Sequence, residues 1–268
     1  MKIFRPILAG CTAWLLLAAG AATVAAPQQS KAPPTPSVSP NVDADALAAL
    51  EKMGAALRAR NIFVMNADVT KEDVLDSGEK LQFAGTLDVR ARRPDHFRMS
   101  LVSDLQDRQI YYDGKSVTVY SPRLGVYASF TAPATIAQTL NVARERYDIE
   151  LPLADLFTWG TDNSAAAKLT SGFLVRPERI GGRACNHYAF RQQNADWQIW
   201  IAAEEPSLPC KLVITNTQDE SRPQYSAVMR WTFPATLADA EFAFVPPVSS
   251  NKIVIVDVAS MQASGATK

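Results

Sequence analysis

Residues 183–215 read RACNHYAFRQQNADWQIWIAAEEPSLPCKLVIT. The stretch divides into three apolar runs, 184–192, 196–202 and 210–217, separated by Gln193-Asn194 and by the proline-containing loop 204–209. Short β-rich runs joined by turn residues predict consecutive antiparallel strands. In the second run Trp197, Ile199 and Ile201 fall on one face, and Gln198 and Trp200 on the other. The stretch holds two of the five tryptophans, one of the two histidines and two of the three cysteines. It carries no catalytic motif.

The same pattern extends upstream. Leu81, Phe83, Leu87 and Val89 alternate with polar or small residues, as do Phe97, Met99 and Leu101. Asp113-Gly114 is a two-residue hairpin signal between the runs 109–112 and 115–120, and a further strand is predicted over 124–130. Downstream, Tyr225, Ala227, Met229 and Trp231 share a face, and Phe242–Val245, Pro246-Pro247 and Lys252–Val258 close the domain. Helical periodicity interrupts this pattern twice. Leu47, Leu50, Met53, Ala56 and Leu57 form a stripe over 43–60. A central insertion carries helices over 133–147 and 151–159, the latter started by Pro152, with a third over 162–168. The expected fold is therefore mainly β with helices, an α+β arrangement of antiparallel meanders around a helical insertion.

The chain has 268 residues, 47% hydrophobic and 20% charged, with 27 basic and 27 acidic residues. One domain of that size buries a full core. No basic run offers the footprint that nucleic acid requires. Lys2 and Arg5, the apolar run 7–22 and Thr23-Val24-Ala25 have the three-part layout of a secretory signal peptide, residues 1–25. Leu8-Ala9-Gly10-Cys11 also matches a lipobox, with lipid anchoring through Cys11 as the alternative. Residues 26–42 are a Pro-rich disordered spacer, residues 43–260 one domain, and residues 261–268 a flexible tail. Export to an oxidising compartment raises a Cys185–Cys210 disulfide. Against it, the two strands are separated by a third, which places them roughly 10 Å apart, and a buried inert thiol is the competing reading.

The chemistry-bearing residues do not assemble into a known catalytic pattern. His96 and His187 lack ligand-spaced partners, so no metal site is expected. Ser77-Gly78-Glu79-Lys80 matches Ser-x-x-Lys, but it lies in a hairpin turn, where the lysine has no helix to bring it to the serine. Asp104/Asp107 and Glu204/Glu205 fall in loops. No cofactor is expected, and a hydrolase is the lesser alternative.

Several stretches together resemble a family of predicted periplasmic bacterial proteins of unknown function. They are Tyr111-Tyr112-Asp113-Gly114-Lys115, the run 151–156 (LPLADL), the run 185–192 (CNHYAFRQ), Asp196-Trp197-Gln198-Ile199-Trp200, and Leu208-Pro209 leading into 211–214 (KLVI). The resemblance spans roughly residues 43–258. It implies a fold like the LolA/LolB lipoprotein carriers: an open, incomplete β-barrel, its mouth covered by an N-terminal helix and a central helical insertion, around an apolar cavity. The implied location is the periplasm. The implied role is non-catalytic binding or carriage of a hydrophobic ligand, whether lipid, acyl chain or lipoprotein. An envelope protein-interaction or sensory module is the alternative. On that fold the candidate cavity residues are Phe83, Leu87, Met99, Leu101, Tyr112, Trp197 and Ile199.

Overall fold

The computed structural model describes residues 41–159 and 168–258. The expected signal peptide, most of the spacer, the third helix of the insertion (all but Lys168) and the tail lie outside these residues. Thirteen strands form one sheet: β1 (Asn41–Val42), β2 (Ile62–Val74), β3 (Lys80–Arg92), β4 (His96–Ser103), β5 (Asp107–Asp113), β6 (Ser116–Ser121), β7 (Val126–Thr131), β8 (Ser171–Ile180), β9 (Arg183–Gln192), β10 (Ala195–Ala202), β11 (Pro209–Asn216), β12 (Gln224–Thr232) and β13 (Asn251–Lys252). Their spatial order is β1-β8-β9-β10-β11-β12-β2-β3-β4-β5-β6-β7-β13. The β12–β2 pairing joins the two meanders. The first and last strands do not meet, so the sheet is open, as the resemblance implies.

Three helices lie on one face: α1 (Ala44–Arg58), α2 (Ile136–Tyr147) and α3 (Asp155–Thr158). The stripe of α1 buries Leu50, Met53 and Leu57. Helix α2 begins three residues later than its periodicity suggests. Thr135 caps it, accepting from the Gln138 amide at 3.3 Å, while the preceding Pro133 carbonyl accepts from the Tyr112 hydroxyl at 2.6 Å. The expected helix over 151–159 shrinks to the single turn of α3. Leu153 sits at φ 60°, in the left-handed region, and breaks the run after Pro152.

One core cluster joins Leu50, Met53 and Leu57 of α1, Ile136 and Leu140 of α2, and Leu156 and Phe157 of α3. Into the same cluster come inward residues of the strands from β9 through β12 and from β2 to β7. The sheet thus wraps its concave face around the helices.

Residues 233–250 do not pair as strands; of the closing segments only Asn251–Lys252 joins the sheet, parallel to β7. The segment instead crosses the outer face as a strap. Phe242 is fully buried, its ring centre 5.3 Å from His96 and 5.2 Å from the Arg92 guanidinium. Phe244 covers Tyr111, Tyr120 and Tyr127 at 5.0–5.3 Å. Arg90 pairs with Glu241 at 2.7 Å and Arg92 with Asp239 at 2.5 Å.

The hydrogen bond from Arg90 holds the Glu241 carboxyl below its ordinary value, and Arg92 does the same for Asp239. A lowered folded value means that this stabilisation is complete above the unfolded carboxylate range, about 4. It is lost as pH falls through the folded value. Urea unfolding of Glu241→Gln is expected to show a deficit under about 1 kcal/mol at neutral pH. That deficit should shrink as pH falls through the folded value of Glu241. A deficit that survives acidification would show that Glu241 acts through packing rather than charge.

Candidate functional site

The seven candidate residues all face the concave side. Leu87 stands opposite Leu101, and Met99 opposite both Val89 and Ile110. Tyr112 lies opposite Phe97, and Ile199 lies between Tyr188 and Leu212. Trp197 belongs to a row that runs Phe190–Trp197–Ile214–Tyr225–Lys71–Phe83 across six strands. Leu87, Met99, Tyr112, Trp197 and Ile199 are 0–5% exposed, packed beneath the helices. Phe83 and Leu101 are only partly covered.

Trp197 stacks on Phe190 at 4.5 Å and meets Trp159 edge-on at 5.5 Å. Its indole nitrogen is sealed from solvent and has no partner among the described residues, and the same holds for the Tyr225 hydroxyl. Burial pushes the Tyr225 phenol well up.

Trp200 lies on the outer face, as its parity requires, yet it is also buried. His187 stacks on it at 3.9 Å, Lys211 lies 4.7 Å from its ring centre, and its indole N–H donates to Glu178 at 2.8 Å. His187 Nε2 lies 2.9 Å from Gln198 Oε1. This histidine serves as a packed, hydrogen-bonded side chain. Beside it Cys185 and Cys210 are joined as a disulfide, with Cα atoms 7.1 Å apart. The intervening β10 changes register between Trp200 and Ile201. Such a bulge increases local twist and bends the strand. It accounts for a Cα separation shorter than that of regular next-nearest strands.

The apolar opening lies at one end of the concave face, beside these candidates rather than among them. It is a cleft of about 480 Å³. Its floor is Arg108, Val119, Ser121, Val126 and Ala128, which continue the rows of Leu101 and Met99 across β5, β6 and β7. The hairpin tips contribute Leu105 and Leu124, and Ile253–Val256 form the far wall. That wall follows from the chain's path. After β13 the backbone leaves the β7 edge toward the helices, Ile255 packs against the core, and Asp257 pairs with Arg146 of α2. Arg108, Arg123 and Asp107 supply polar atoms, and Asp107 Oδ1 is sealed and has no partner among the described residues.

The strand that carries Val119 was predicted over 115–120, without a face assigned to it. The junction of two hairpin tips with a segment more than 120 residues away left no local signal.

Among the described residues no three His, Cys, Asp or Glu side chains are grouped to hold a metal ion. No helix among them is long and apolar enough to cross a membrane.

Among solved structures the chain is similar to lipoprotein LppX of Mycobacterium tuberculosis. The identity is 12% and the TM-score 0.46, over 73% of this chain and 100% of that one. It is similar to LprF of Mycobacterium bovis at 13% identity and TM-score 0.45, over 79% and 100%. A LolA superfamily protein of Nitrosomonas europaea matches at 11% identity and TM-score 0.34, over 74% and 97%. No curated protein matches the chain. The family described as "Predicted periplasmic protein (DUF2092)" matches residues 46–256, most of the sequence, and the chain belongs to that family of periplasmic proteins.

Proposed function

We propose that this protein is a periplasmic, non-catalytic binder or carrier of a hydrophobic ligand, such as a lipid or an acyl chain, held in the cleft between β5–β7 and residues 253–256. The cleft carries the reading. Its volume of about 480 Å³ falls in the range of small-ligand pockets, roughly 300–1,000 Å³. Its walls are mostly aliphatic, with a few polar groups at one side. Moving an alkyl chain from water into it contributes about 0.8 kcal/mol per buried methylene. In this reading Leu101, which pairs with Arg108 of the cleft floor, belongs to the same site.

Native mass spectrometry after gentle purification is expected to show a bound apolar molecule. Dodecanol is expected to compete for a hydrophobic dye on the emptied protein. Val126→Arg puts a cation into the cleft and is expected to weaken dye binding by at least about tenfold, with an unchanged circular dichroism spectrum. A protein that is isolated empty and ignores dye, dodecanol and lipid vesicles would overturn the reading.

A protein-interaction module is the second reading, favoured by Phe173, Leu174 and Val175, three consecutive half-exposed apolar residues on β8. Recovery of one stoichiometric envelope protein, lost in Phe173→Ser, would favour it.

A further inference from the structure

Among the described residues most arginines have partners; Arg98 leaves its Nε sealed and unpartnered, and Arg93 leaves two nitrogens so. Arg191 sets the standard: its Nε and Nη2 donate side by side to the two oxygens of Asp196, at 2.7 and 3.0 Å. This is the guanidinium edge that best matches a planar carboxylate. In Arg93 the same two atoms, Nε and Nη2, are sealed from solvent and have no partner among the described residues. Its remaining nitrogen, Nη1, donates to the Phe157 carbonyl at 3.2 Å, and the guanidinium lies 5.8 Å from the Phe157 ring centre.

Among the described residues no carboxylate balances this cation. Asp95, the acid in the same turn, is held by His96 at 2.7 Å. The neighbouring charge is instead another cation, Arg58 at the end of α1, whose Nη1 donates to the Trp159 carbonyl at 2.7 Å. Burial and then the Arg58 charge both push the Arg93 pKa down. Arg58 has an ordinary explanation, because a cation suits a helix C-terminus. Arg93 lies after a strand and has none. A half-buried cation beside a like charge is disfavoured until an anion joins it.

We propose that Arg93 and Arg58 form an oxyanion site for a carboxylate or phosphate group. The anion takes the free Nε/Nη2 edge of Arg93, with Arg58 as the second positive charge. The bonds to the Phe157 and Trp159 carbonyls use only the Nη1 atoms, so they do not compete for that edge. Because the edge is sealed in this conformation, entry requires its surroundings to move, and Trp159, whose carbonyl Arg58 holds, is the tryptophan placed to report it. The site stands at the opposite end of β4 from the apolar cleft and does not depend on it.

The test is a titration of the full-length protein, followed by Trp fluorescence and by thermal unfolding, with inorganic phosphate, acetate, dodecanoate and dodecanol. Saturable binding of dodecanoate and of phosphate or acetate, each weakened at least tenfold in Arg93→Gln, identifies a site for free oxyanions. Dodecanoate binding that depends on Arg93, with the small anions and dodecanol insensitive to it, identifies a lipid headgroup. Either result supports the site. If Arg93→Gln does not fold, Arg58→Gln is read in its place, with the same loss expected. Arg93→Lys is expected to recover little, because it restores the charge but not the fork. The proposal is overturned if no anion distinguishes the wild type from both variants. It is also overturned if the variants lose stability by an amount no anion changes, as a purely structural arginine would. Dodecanol binding that survives in every variant leaves the cleft reading intact while this one falls.

Discussion

Replacing Phe97 with alanine is expected to lower the unfolding free energy by about 3–5 kcal/mol, read from the midpoint and slope of chemical denaturation. Phe97 is 1% exposed and lies where the sheet meets the insertion. Its ring centre stands 5.5 Å from Tyr112 and 6.0 Å from Phe157. Across the strands it faces Ala91 on one side and Tyr112 on the other. The small Ala91 cannot fill the space left behind. Tyr112 is tied to the Pro133 carbonyl through its hydroxyl and cannot tilt inward without losing that bond. The cavity is therefore expected to persist, which puts the cost at the upper end of the range for such truncations. A loss below about 1 kcal/mol would mean that α3 collapses into the gap and that the layer between sheet and helix is loosely specified.

Removing the disulfide is expected to have the second-largest effect. Cys185 and Cys210 are 25 residues apart in sequence, and the chain-entropy estimate for a loop of that size is about 3.5 kcal/mol. The Cys185→Ala/Cys210→Ala double variant, or the wild type under reductant, should unfold at correspondingly lower denaturant. Around the bridge Trp200, Ala202 and Val213 form a small outer-face cluster with Ile180 packed against it. Lost stability should therefore be accompanied by a changed Trp200 environment in near-UV circular dichroism. Equal stability of the oxidised wild type and the double variant would place the stabilisation in the cluster's packing and none of it in the cross-link.

Period-two alternation made the β-rich part of this fold legible. Leu87 with Val89, and Met99 with Leu101, stood out as alternating runs in the sequence, and Asp113-Gly114 marked the hairpin that joins β5 to β6. The helical stripe ending at Leu57 was equally plain. The strap was not. Phe242 and Phe244 share a parity that suits a strand, but they bury separately, one on His96 and Arg92 and the other on three tyrosines. A segment whose backbone makes no ladder can therefore imitate one in composition. Tyr111, Tyr120 and Tyr127 carried the missing signal, since aromatic residues on a solvent-facing parity call for a cover. The cleft was hidden for a different reason. Leu105, Leu124 and Ile253 meet only because two hairpins end together and the chain's last stretch returns to them. Arg93 was legible as a strand breaker in Arg92-Arg93-Pro94, and its empty edge belongs to tertiary placement alone.

The two ends of the open sheet have a consequence for self-association. A sheet that does not close leaves unpaired amides at its margins, and such margins recruit other chains. Here β8 is bordered by the two residues of β1, and β7 by the two residues of β13, each laid parallel on an otherwise antiparallel sheet. Both borders come from segments that flank the wrapped core in sequence, and each also packs a partly buried side chain, Val42 or Ile255, against that core. Such guards are too short to template further pairing and long enough to block the first few ladder positions. Proteolytic trimming on either flank would then bare ladder positions of β8 or β7 to pairing with another chain.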